Sequence, residues 1–213
     1  MKSHSQHICA LFGFCILINI GCKSYSKYPI DATPKIKIDT GILGLWKAVE
    51  DTDKANYFCI ESDYNTEVPN IPSFKFEHDN KSCLYYITYM DMHGSNPLYQ
   101  QFYAFISIIN RQNFLNIAYH HTPYVDGRFV SEKDEKGYFF TRLIKVTKDS
   151  IITAVVADTT LKQLTNSKDV RKRLEKNSSR PSFYSDTMHF YRVSSYRGGL
   201  KGSEVYANPQ KKN

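Results

Sequence analysis

The stretch YFFTRLIKVTKDSIITAVVA, residues 138–157, contains two apolar runs separated by a short polar segment. The runs YFFTRLIKV (138–146) and IITAVVA (151–157) are rich in aromatic and β-branched residues, which favour β-strands. The polar TKDS between them has the composition of a tight turn. The stretch therefore predicts two neighbouring antiparallel strands, and comparable runs occur on both sides of it.

Similar strand-like runs follow one another along most of the chain, with turn residues between them. Before the hairpin they are LGLWKAV (43–49), NYFCIES (56–62), SFKFEHD (73–79), CLYYITYM (83–90), QFYAFISII (101–109) and FLNIAYH (114–120). After it, TMHFYRV (187–193) predicts a last strand. The pattern indicates a mainly β protein, built as an antiparallel sandwich or barrel.

The hydrophobic period changes in TTLKQLTNSKDVRKRLEKN, residues 159–177, where the apolar residues are spaced as a helical stripe. They are Leu161, Leu164, Val170 and Leu174. Asn166 or Ser167 provides an N-cap, and basic residues crowd toward the end, where they suit the helix dipole. We therefore predict one helix before the last strand.

The chain of 213 residues suits a single domain, which we expect at residues 41–196. Residues 22–40 are polar, contain two prolines and lack a hydrophobic period, so they predict a flexible tether. Residues 197–213 are rich in glycine and polar residues and predict a disordered basic tail.

The tripeptide Gly44-Leu45-Trp46 opens the first predicted strand and resembles the glycine-x-tryptophan motif of lipocalin-like β-barrels. The resemblance covers about residues 42–194 and implies an up-and-down or half-open barrel of about eight to nine strands. It also implies that Trp46 plugs one end of the barrel and that Arg192 stacks on its ring. The alternative is that Trp46 is an ordinary core residue of another β fold.

The N-terminal run ICALFGFCILINIGCKSYSKYP (8–29) begins with an apolar run from Ile8 to Gly21, which at 14 residues is shorter than the about 20 needed to span a bilayer. Lys2 precedes the run, which gives it the layout of a secretory signal. Its end, INIGC, resembles the lipobox of bacterial lipoproteins. This resemblance implies a signal peptide at residues 1–21 and acylation of Cys22. The alternative is a buried N-terminal segment with ordinary core cysteines.

Lipidation of Cys22 with acyl chains such as palmitate would anchor the protein in a lipid bilayer. We accordingly expect a lipoprotein of the bacterial cell envelope, held at the outer membrane. Once residues 1–21 are removed, Cys59 and Cys83 remain. They either form a disulfide, which an oxidising compartment permits, or act as small buried apolar residues.

The chain has 28 basic and 21 acidic residues and a net charge of +7. The basic residues are spread along it, so we expect no nucleic-acid partner, and anionic headgroups or acidic glycans suit the charge better. Five histidines follow residue 22, and none has a zinc-site spacing. Ser185, Asp186 and His189 lie close in sequence, but no glycine-x-serine-x-glycine elbow accompanies them. We therefore expect a protein that is not an enzyme and has no cofactor and no metal.

The segment YHHTPYVDGRFVSEKDEKG (119–137) is long for a loop and mixes aromatic with charged residues. It predicts binding through Tyr119, Tyr124, Arg128 and Phe129. Two functions suit these features. The first is a barrel that binds a small apolar or amphipathic ligand, and the second is a module that binds an envelope protein or glycan through this loop.

Overall fold

The computed structural model describes residues 24–49, 56–62, 82–91, 98–119, 124–125, 128–129 and 137–195. In these ranges the strands are β1 (Gly44–Ala48), β2 (Asn56–Glu61), β3 (Tyr85–Asp91), β4 (Leu98–Ile109), β5 (Gln112–Tyr119), β6 (Tyr124–Val125), β7 (Arg128–Phe129), β8 (Tyr138–Val146), β9 (Ser150–Val156) and β10 (Tyr184–Ser195). One α-helix, α1, spans Ser167–Asn177, and short 3-10 helices span Thr40–Ile42, Thr159–Gln163 and Pro181–Phe183. None of the helices in these ranges is long and apolar enough to cross a membrane.

Eight of these strands form a closed antiparallel barrel, in the order β1-β2-β3-β4-β5-β8-β9-β10. Each strand pairs with the next along this order, and β10 pairs with β1 to close the barrel. The hairpin of β6 and β7 attaches outside this circle, where Tyr124 pairs with Tyr99 of β4. The predicted mainly β barrel, with one helix before the last strand, is therefore confirmed.

Two tight turns explain why neighbouring strands pair as they do. Between β4 and β5, Asn110 and Arg111 both have positive φ, 48° and 63°, as two-residue hairpins of the I′ type require. Between β8 and β9, the Thr147 amide donates to the Ser150 carbonyl at 2.9 Å, and the Ser150 amide donates to Thr147 Oγ1 at 2.9 Å. The TKDS segment thus forms the turn that its composition predicts.

The strands carry apolar side chains on both faces because the barrel has two core layers. The inner layer fills the barrel and includes Trp46, Tyr89 and Phe102. The outer layer covers β4, β5 and β8, whose Phe105 and Phe114 contact α1 and the chain that leads to it. A strand between two such layers loses the simple alternation of apolar and polar residues.

Helix α1 begins where the sequence predicts. The Asn166 side chain caps it by accepting from the Asp169 amide at 3.0 Å, and Val170 and Leu174 are buried. The predicted stripe is interrupted before this cap, however. Leu161 lies in a separate 3-10 helix that is capped by Asp158, and Leu164 follows that helix.

Residues 24–40, predicted as a flexible tether, pack on the barrel instead, so the predicted domain start at residue 41 is too late. Ser26 forms an antiparallel bridge with Tyr138, with hydrogen bonds of 2.8 and 2.6 Å. Ile30 is 1% exposed, and its amide donates to the Asn116 Oδ1 at 2.8 Å. The prediction failed because the barrel supplies the apolar and hydrogen-bonding partners that this polar segment lacks by itself.

The possible disulfide between Cys59 and Cys83 is not formed, and both thiols are free and buried. Cys59 of β2 lies opposite Thr88 of β3, five residues along the chain from Cys83. That offset corresponds to roughly 16 Å in an extended strand, far beyond the reach of a disulfide. The two cysteines therefore serve as small apolar residues, the alternative that the sequence left open.

Several predictions lie outside the described residues. They concern the signal peptide and Cys22, the strand at 73–79, the tail at 197–213 and four of the histidines, His78, His93, His120 and His121. The segment 119–137 was predicted to be a long loop without regular structure. Its described residues differ from that prediction, because they include the end of β5, the hairpin of β6 and β7, and the residue that precedes β8.

Candidate ligand cavity

Trp46 lies inside the barrel at the end where β1 begins. Its side chain is 1% exposed, and its indole Nε1 donates to the Ile42 carbonyl at 2.9 Å. Ile42 belongs to the 3-10 helix just before β1, so the indole is tied to the chain that enters the barrel. Trp46 thus plugs this end, as the resemblance implied.

Arg192 covers the outer side of this plug. Its Cζ lies 4.0 Å from the centroid of the Trp46 ring, which is the stacking that the sequence suggested. The guanidinium donates from Nη1 to the Leu43 carbonyl at 2.5 Å, from Nη2 to the Gly41 carbonyl at 2.6 Å and from Nε to the Lys148 carbonyl. One side chain therefore fastens the 3-10 helix and the β8–β9 turn together across this end.

Beyond Trp46 the barrel contains a cavity of about 80 Å³ that is not fully enclosed. Its wall is apolar, and the hydroxyl-bearing side chains of Thr141 and Thr153 are the exceptions among the residues described there. The principal lining residues are Ile42, Trp46, Phe58, Phe102, Leu115, Phe139, Leu143 and Phe190. Such a wall favours a hydrocarbon or aromatic group over a polar one.

The size of the cavity limits what it holds. An apolar cavity of about 150 Å³ is large enough for benzene. The 80 Å³ here is roughly half of that, so the barrel accepts a short chain end or a small group. A whole lipid does not fit inside the barrel as described. The side chains of the inner layer occupy most of the interior.

A group of polar side chains lies on the inner wall at the end opposite Trp46, and we call it the inner polar group: Asn56, Tyr89, Asp91 and Gln100. Asn56 begins β2, Asp91 ends β3, and Gln100 is near the start of β4, so antiparallel pairing puts all of them at that end. In the ladders Asn56 is opposite Asp91, and Tyr89 is opposite Gln100. Directly opposed residues share a face, here the face of Phe58 and Phe102 in the cavity wall.

Hydrogen bonding within the inner polar group is incomplete. The Tyr89 hydroxyl donates to Asn56 Oδ1 at 2.8 Å. Gln100 is 4% exposed, and its Oε1 has no hydrogen-bond partner in the part of the chain that the structure describes. Thr153 Oγ1, in the cavity wall, is also buried without a partner there. Buried polar atoms are usually paired, so these two atoms are exceptions to the general pattern.

The predicted binding residues of the 119–137 segment lie on three strands. Tyr119 ends β5 opposite Phe102. Tyr124 pairs with Phe129, and Arg128 pairs with Val125, in the hairpin of β6 and β7. The backbone therefore brings Tyr124, Arg128 and Phe129 together, next to β4.

The sequence neighbours Ser185 and His189 do not form a catalytic arrangement. Ser185 Oγ donates to the Val155 carbonyl at 3.3 Å, and the His189 side chain is exposed on β10. Within the described ranges, no three or more side chains of His, Cys, Asp or Glu cluster as metal ligands would. The described surface of β10 thus offers no assembled nucleophile and base.

Sequence reasoning missed the inner polar group. Asn56 and Gln100 each stand two residues before an inward-facing phenylalanine, Phe58 and Phe102. A polar residue at the inward position of an apolar strand was the available signal. Comparison of the chain with protein-family models, with curated proteins and with solved structures gave no match.

Proposed function

We propose that this protein is an exported, membrane-anchored lipoprotein that is not an enzyme and whose barrel binds a small apolar or amphipathic ligand. The observation that carries the proposal is the apolar cavity inside a barrel whose one end is plugged by Trp46 and Arg192. The anchor is an acylated Cys22 in the outer membrane of a bacterial envelope. Nucleic acid is not a partner.

The chemistry of the wall supports binding without catalysis. Each Å² of apolar surface that a ligand removes from water contributes about 25 cal/mol. The wall offers little that would activate a bond, because its polar members are two threonine hydroxyls. A ligand would enter from the end opposite Trp46 and insert its apolar part. At 80 Å³, the cavity selects the terminus of a chain rather than a whole lipid.

Trp46 provides a direct test because it is the only tryptophan in the sequence and lines the cavity. Titration with octanol should change the tryptophan emission in a saturable manner. Leu143→Phe fills the cavity and should weaken octanol binding about tenfold or more. Ile144→Phe, at the exposed neighbouring position, is the matched control and should bind octanol like the wild type.

Two results would contradict this binding proposal. One is the absence of any saturable change of emission with octanol in the folded wild type. The other is an equal loss of octanol affinity in Leu143→Phe and Ile144→Phe, which would show that octanol does not bind in the cavity.

The anchor requires its own experiment. Mass spectrometry of the membrane-extracted protein should show a chain that begins at Cys22 and carries acyl mass on that residue. The Cys22→Ala variant should lack this mass and leave the membrane fraction. An unlipidated wild-type chain that begins at Met1 would contradict both the anchor and the location.

A second candidate is an interaction module of the envelope that binds a protein or glycan. The observation that favours it is the β6–β7 hairpin, which pairs with β4 and groups Tyr124, Arg128 and Phe129 at one place. Deletion of residues 121–134 distinguishes the candidates. The module predicts lost envelope partners and unchanged octanol binding, whereas the ligand barrel predicts unchanged partners.

A further inference from the structure

We infer that the barrel is held with the end opposite Trp46 against the membrane, so that its ligand enters the cavity from the lipid bilayer. This inference rests on the proposed anchor at Cys22, and it adds the orientation of the barrel and the source of the ligand. Two observations carry it: the direction in which β8 runs, and the short length of chain between Cys22 and the barrel.

The direction of β8 puts its first residue at the end opposite Trp46. In the sheet β1 pairs with β10, β10 with β9 and β9 with β8, and all three pairings are antiparallel. β8 is therefore antiparallel to β1 and begins at the end of the barrel where β1 ends. Trp46 and Arg192 close the other end, where β1 begins. Tyr138, the first residue of β8, thus lies at the end by which the ligand would enter.

The chain that follows the proposed anchor is fastened to the outside of the barrel at this same end. The Ser26 amide donates to the Tyr138 carbonyl at 2.8 Å, and the Tyr138 amide donates to the Ser26 carbonyl at 2.6 Å. Four residues later, Ile30 is buried in the outer core layer. Asp31 then accepts a hydrogen bond from Arg171 of α1 at 2.6 Å. Residues 26–31 therefore belong to the folded body, and they do not act as a free linker.

The chain between Cys22 and Ser26 is too short to let the barrel move away from the bilayer. Ser26 is four residues after Cys22, so even a fully extended chain joins their Cα atoms over about 14 Å at most. The acyl chains of the anchor lie in the hydrocarbon, which puts Cys22 at the boundary with the head groups. A head-group layer is roughly 5–7 Å thick. Ser26, and Tyr138 with it, therefore lies within roughly 10 Å of the bilayer surface.

The same limit excludes the inverted orientation. β8 has nine residues, and strands of such barrels tilt by about 40° from the barrel axis. The strand then spans roughly 23 Å along that axis. With the Trp46 end against the bilayer, Ser26 would lie farther from the surface than the chain from Cys22 can reach. The end where β8 begins is therefore the one that faces the lipid.

The residues beside the anchor suit contact with a lipid surface. The sequence from Cys22 to Ile30 is CKSYSKYPI, which contains two lysines, two tyrosines and no acidic residue. Lys27 is exposed, and Tyr25 and Tyr28 are half-buried. Lysines next to a membrane anchor are attracted to anionic head groups, and tyrosines are enriched at the level of the head groups. This composition favours a barrel that rests on the head groups.

The orientation assigns the source of the ligand. The cavity wall is apolar, and its volume of about 80 Å³ accepts the end of a chain. Molecules with such a chain leave water for the bilayer because burial of apolar surface is favourable. When the entrance lies at the bilayer, the chain end passes from the hydrocarbon to the cavity with little exposure to water. The ligand is therefore a molecule dissolved in the membrane, and its apolar end is the part that enters the barrel.

The experiment measures which end of the barrel lies near the lipid head groups. One fluorescent label is attached to Val49→Cys, just after the end of β1, and another to Lys148→Cys, in the β8–β9 turn that Arg192 contacts. Val49 is 62% exposed and the Lys148 side chain 90% exposed, so both labels are tolerated. The native Cys59 and Cys83 are buried and do not compete for the label.

Each lipidated full-length variant is placed in vesicles of phosphatidylcholine and phosphatidylglycerol that contain lipid with a nitroxide quencher on its head group. We expect strong quenching of the label at position 49 and little quenching at position 148. Equal quenching would mean that the barrel lies on its side or turns freely, and it would overturn the inference. Stronger quenching at position 148 would also overturn it.

Gly137 tests whether the bridge sets the orientation. A Cβ at Gly137 would lie 1.9 Å from the Ser26 carbonyl oxygen, so Gly137→Ala forces Ser26 away from Tyr138 and lengthens the free chain after Cys22. The label at position 49 should then lose most of its quenching. Gly41→Ala is the matched control and should keep it, because the nearest atom to its Cβ belongs to a side chain that can move. Unchanged quenching in Gly137→Ala would overturn the inference.

The same glycine variants test the source of the ligand. 1-Bromododecane dissolved in nitroxide-free vesicles should quench Trp46, the only tryptophan, once its chain end enters the cavity. Both variants keep the anchor, but Gly137→Ala loses the orientation, so we expect its quenching to be several-fold slower than that of Gly41→Ala. Equal rates would contradict entry of the ligand from the bilayer.

The proposed function and this inference fail in different ways. Absence of acyl mass on Cys22 would refute the proposed anchor. Absence of Trp46 quenching by 1-bromododecane in every variant would refute the proposed binding of a ligand. An acylated protein that binds the probe but shows equal quenching at positions 49 and 148 would refute the inference alone.

Discussion

Arg192 lies directly opposite Trp46 in the ladder that joins the last strand to the first, and its Cζ is 4.0 Å from the centroid of the indole ring. The pair therefore stands on the seam where the barrel closes. The guanidinium of Arg192 also donates hydrogen bonds to carbonyls of the chain before β1 and of the β8–β9 turn. One contact thus lies both at the closed end of the cavity and between the two strands that close the barrel.

Replacement of Arg192 should measure what this contact contributes to stability. Arg192→Lys keeps the charge but cannot donate to three carbonyls in fixed directions, so we expect a loss of about 2 kcal/mol in the free energy of unfolding. Denaturant titration measures it. Arg142→Lys is the matched control, because Arg142 stacks on Tyr184, at 5.2 Å, outside the barrel seam. It should lose less than about 1 kcal/mol. Equal losses would contradict the role assigned to Arg192.

Gly137 should control whether residues 24–31 stay on the barrel. A Cβ at Gly137 would lie 1.9 Å from the Ser26 carbonyl oxygen, so Gly137→Ala forces the bridge between Ser26 and Tyr138 apart. We expect faster hydrogen exchange in residues 24–31, with the amide of Ile30 among those affected.

Gly41→Ala is the control for this experiment. The nearest atom to its added Cβ is the Asp39 Oδ1, at 3.0 Å, on a side chain that can move. Exchange in residues 24–31 should stay at the wild-type rate in this variant. Unchanged exchange in Gly137→Ala would show that the bridge is not what holds the segment.

Asp158 should make stability depend on pH in the acid range. Burial by itself raises the pKa of this carboxyl, but hydrogen bonds from Arg173 and Thr160 outweigh it and hold the pKa below the ordinary value of 3.8. A lowered folded-state pKa stabilises the fold above the ordinary value, and this contribution disappears as pH falls through the folded-state pKa. The free energy of unfolding should therefore drop below about pH 4.

The Asp158→Asn variant isolates this effect. Denaturant titrations at about pH 6 and about pH 3 should show a smaller drop in the variant than in the wild type. Asp169→Asn, at the exposed N-terminal turn of α1, serves as the comparison. A wild-type profile identical to that of Asp158→Asn would contradict the importance of the 2.6 Å contact between Asp158 and Arg173.

Cys59 should be unreactive in the folded protein. Burial, with a smaller effect of Glu61, raises the pKa of its thiol to about 12, so almost no thiolate is present at neutral pH. Alkylation followed by peptide mapping should label Cys59 only after denaturation. Without a reductant, mapping should also find no peptide that links Cys59 to Cys83. Such a linked peptide from freshly prepared protein would contradict the free thiols.

The local sequence pattern predicted the ends of strands and of the helix well where characteristic turn or cap residues mark them. The strand 138–146 was predicted with the bounds observed for β8, and Asn166 is one of the two residues predicted as the N-cap of the helix. Both depend on residues within one turn or one strand. Residues 24–40 were misjudged because Ile30 is buried by partners from distant strands. The absence of a disulfide likewise follows from the β2–β3 register, which spacing does not reveal.

The sequence by itself determined a mainly β chain of successive antiparallel strands with one late helix. Turn formation and strand propensity depend on residues that are close together in the chain, so the sequence reveals them directly. The resemblance of its glycine-x-tryptophan motif to lipocalin-like barrels also implied that Arg192 stacks on Trp46. Only the tertiary structure decided that the strands close into a barrel with a cavity of about 80 Å³ and that Gln100 faces its interior unpaired. The reason is that closure, register and cavity volume arise from contacts between strands far apart in the chain.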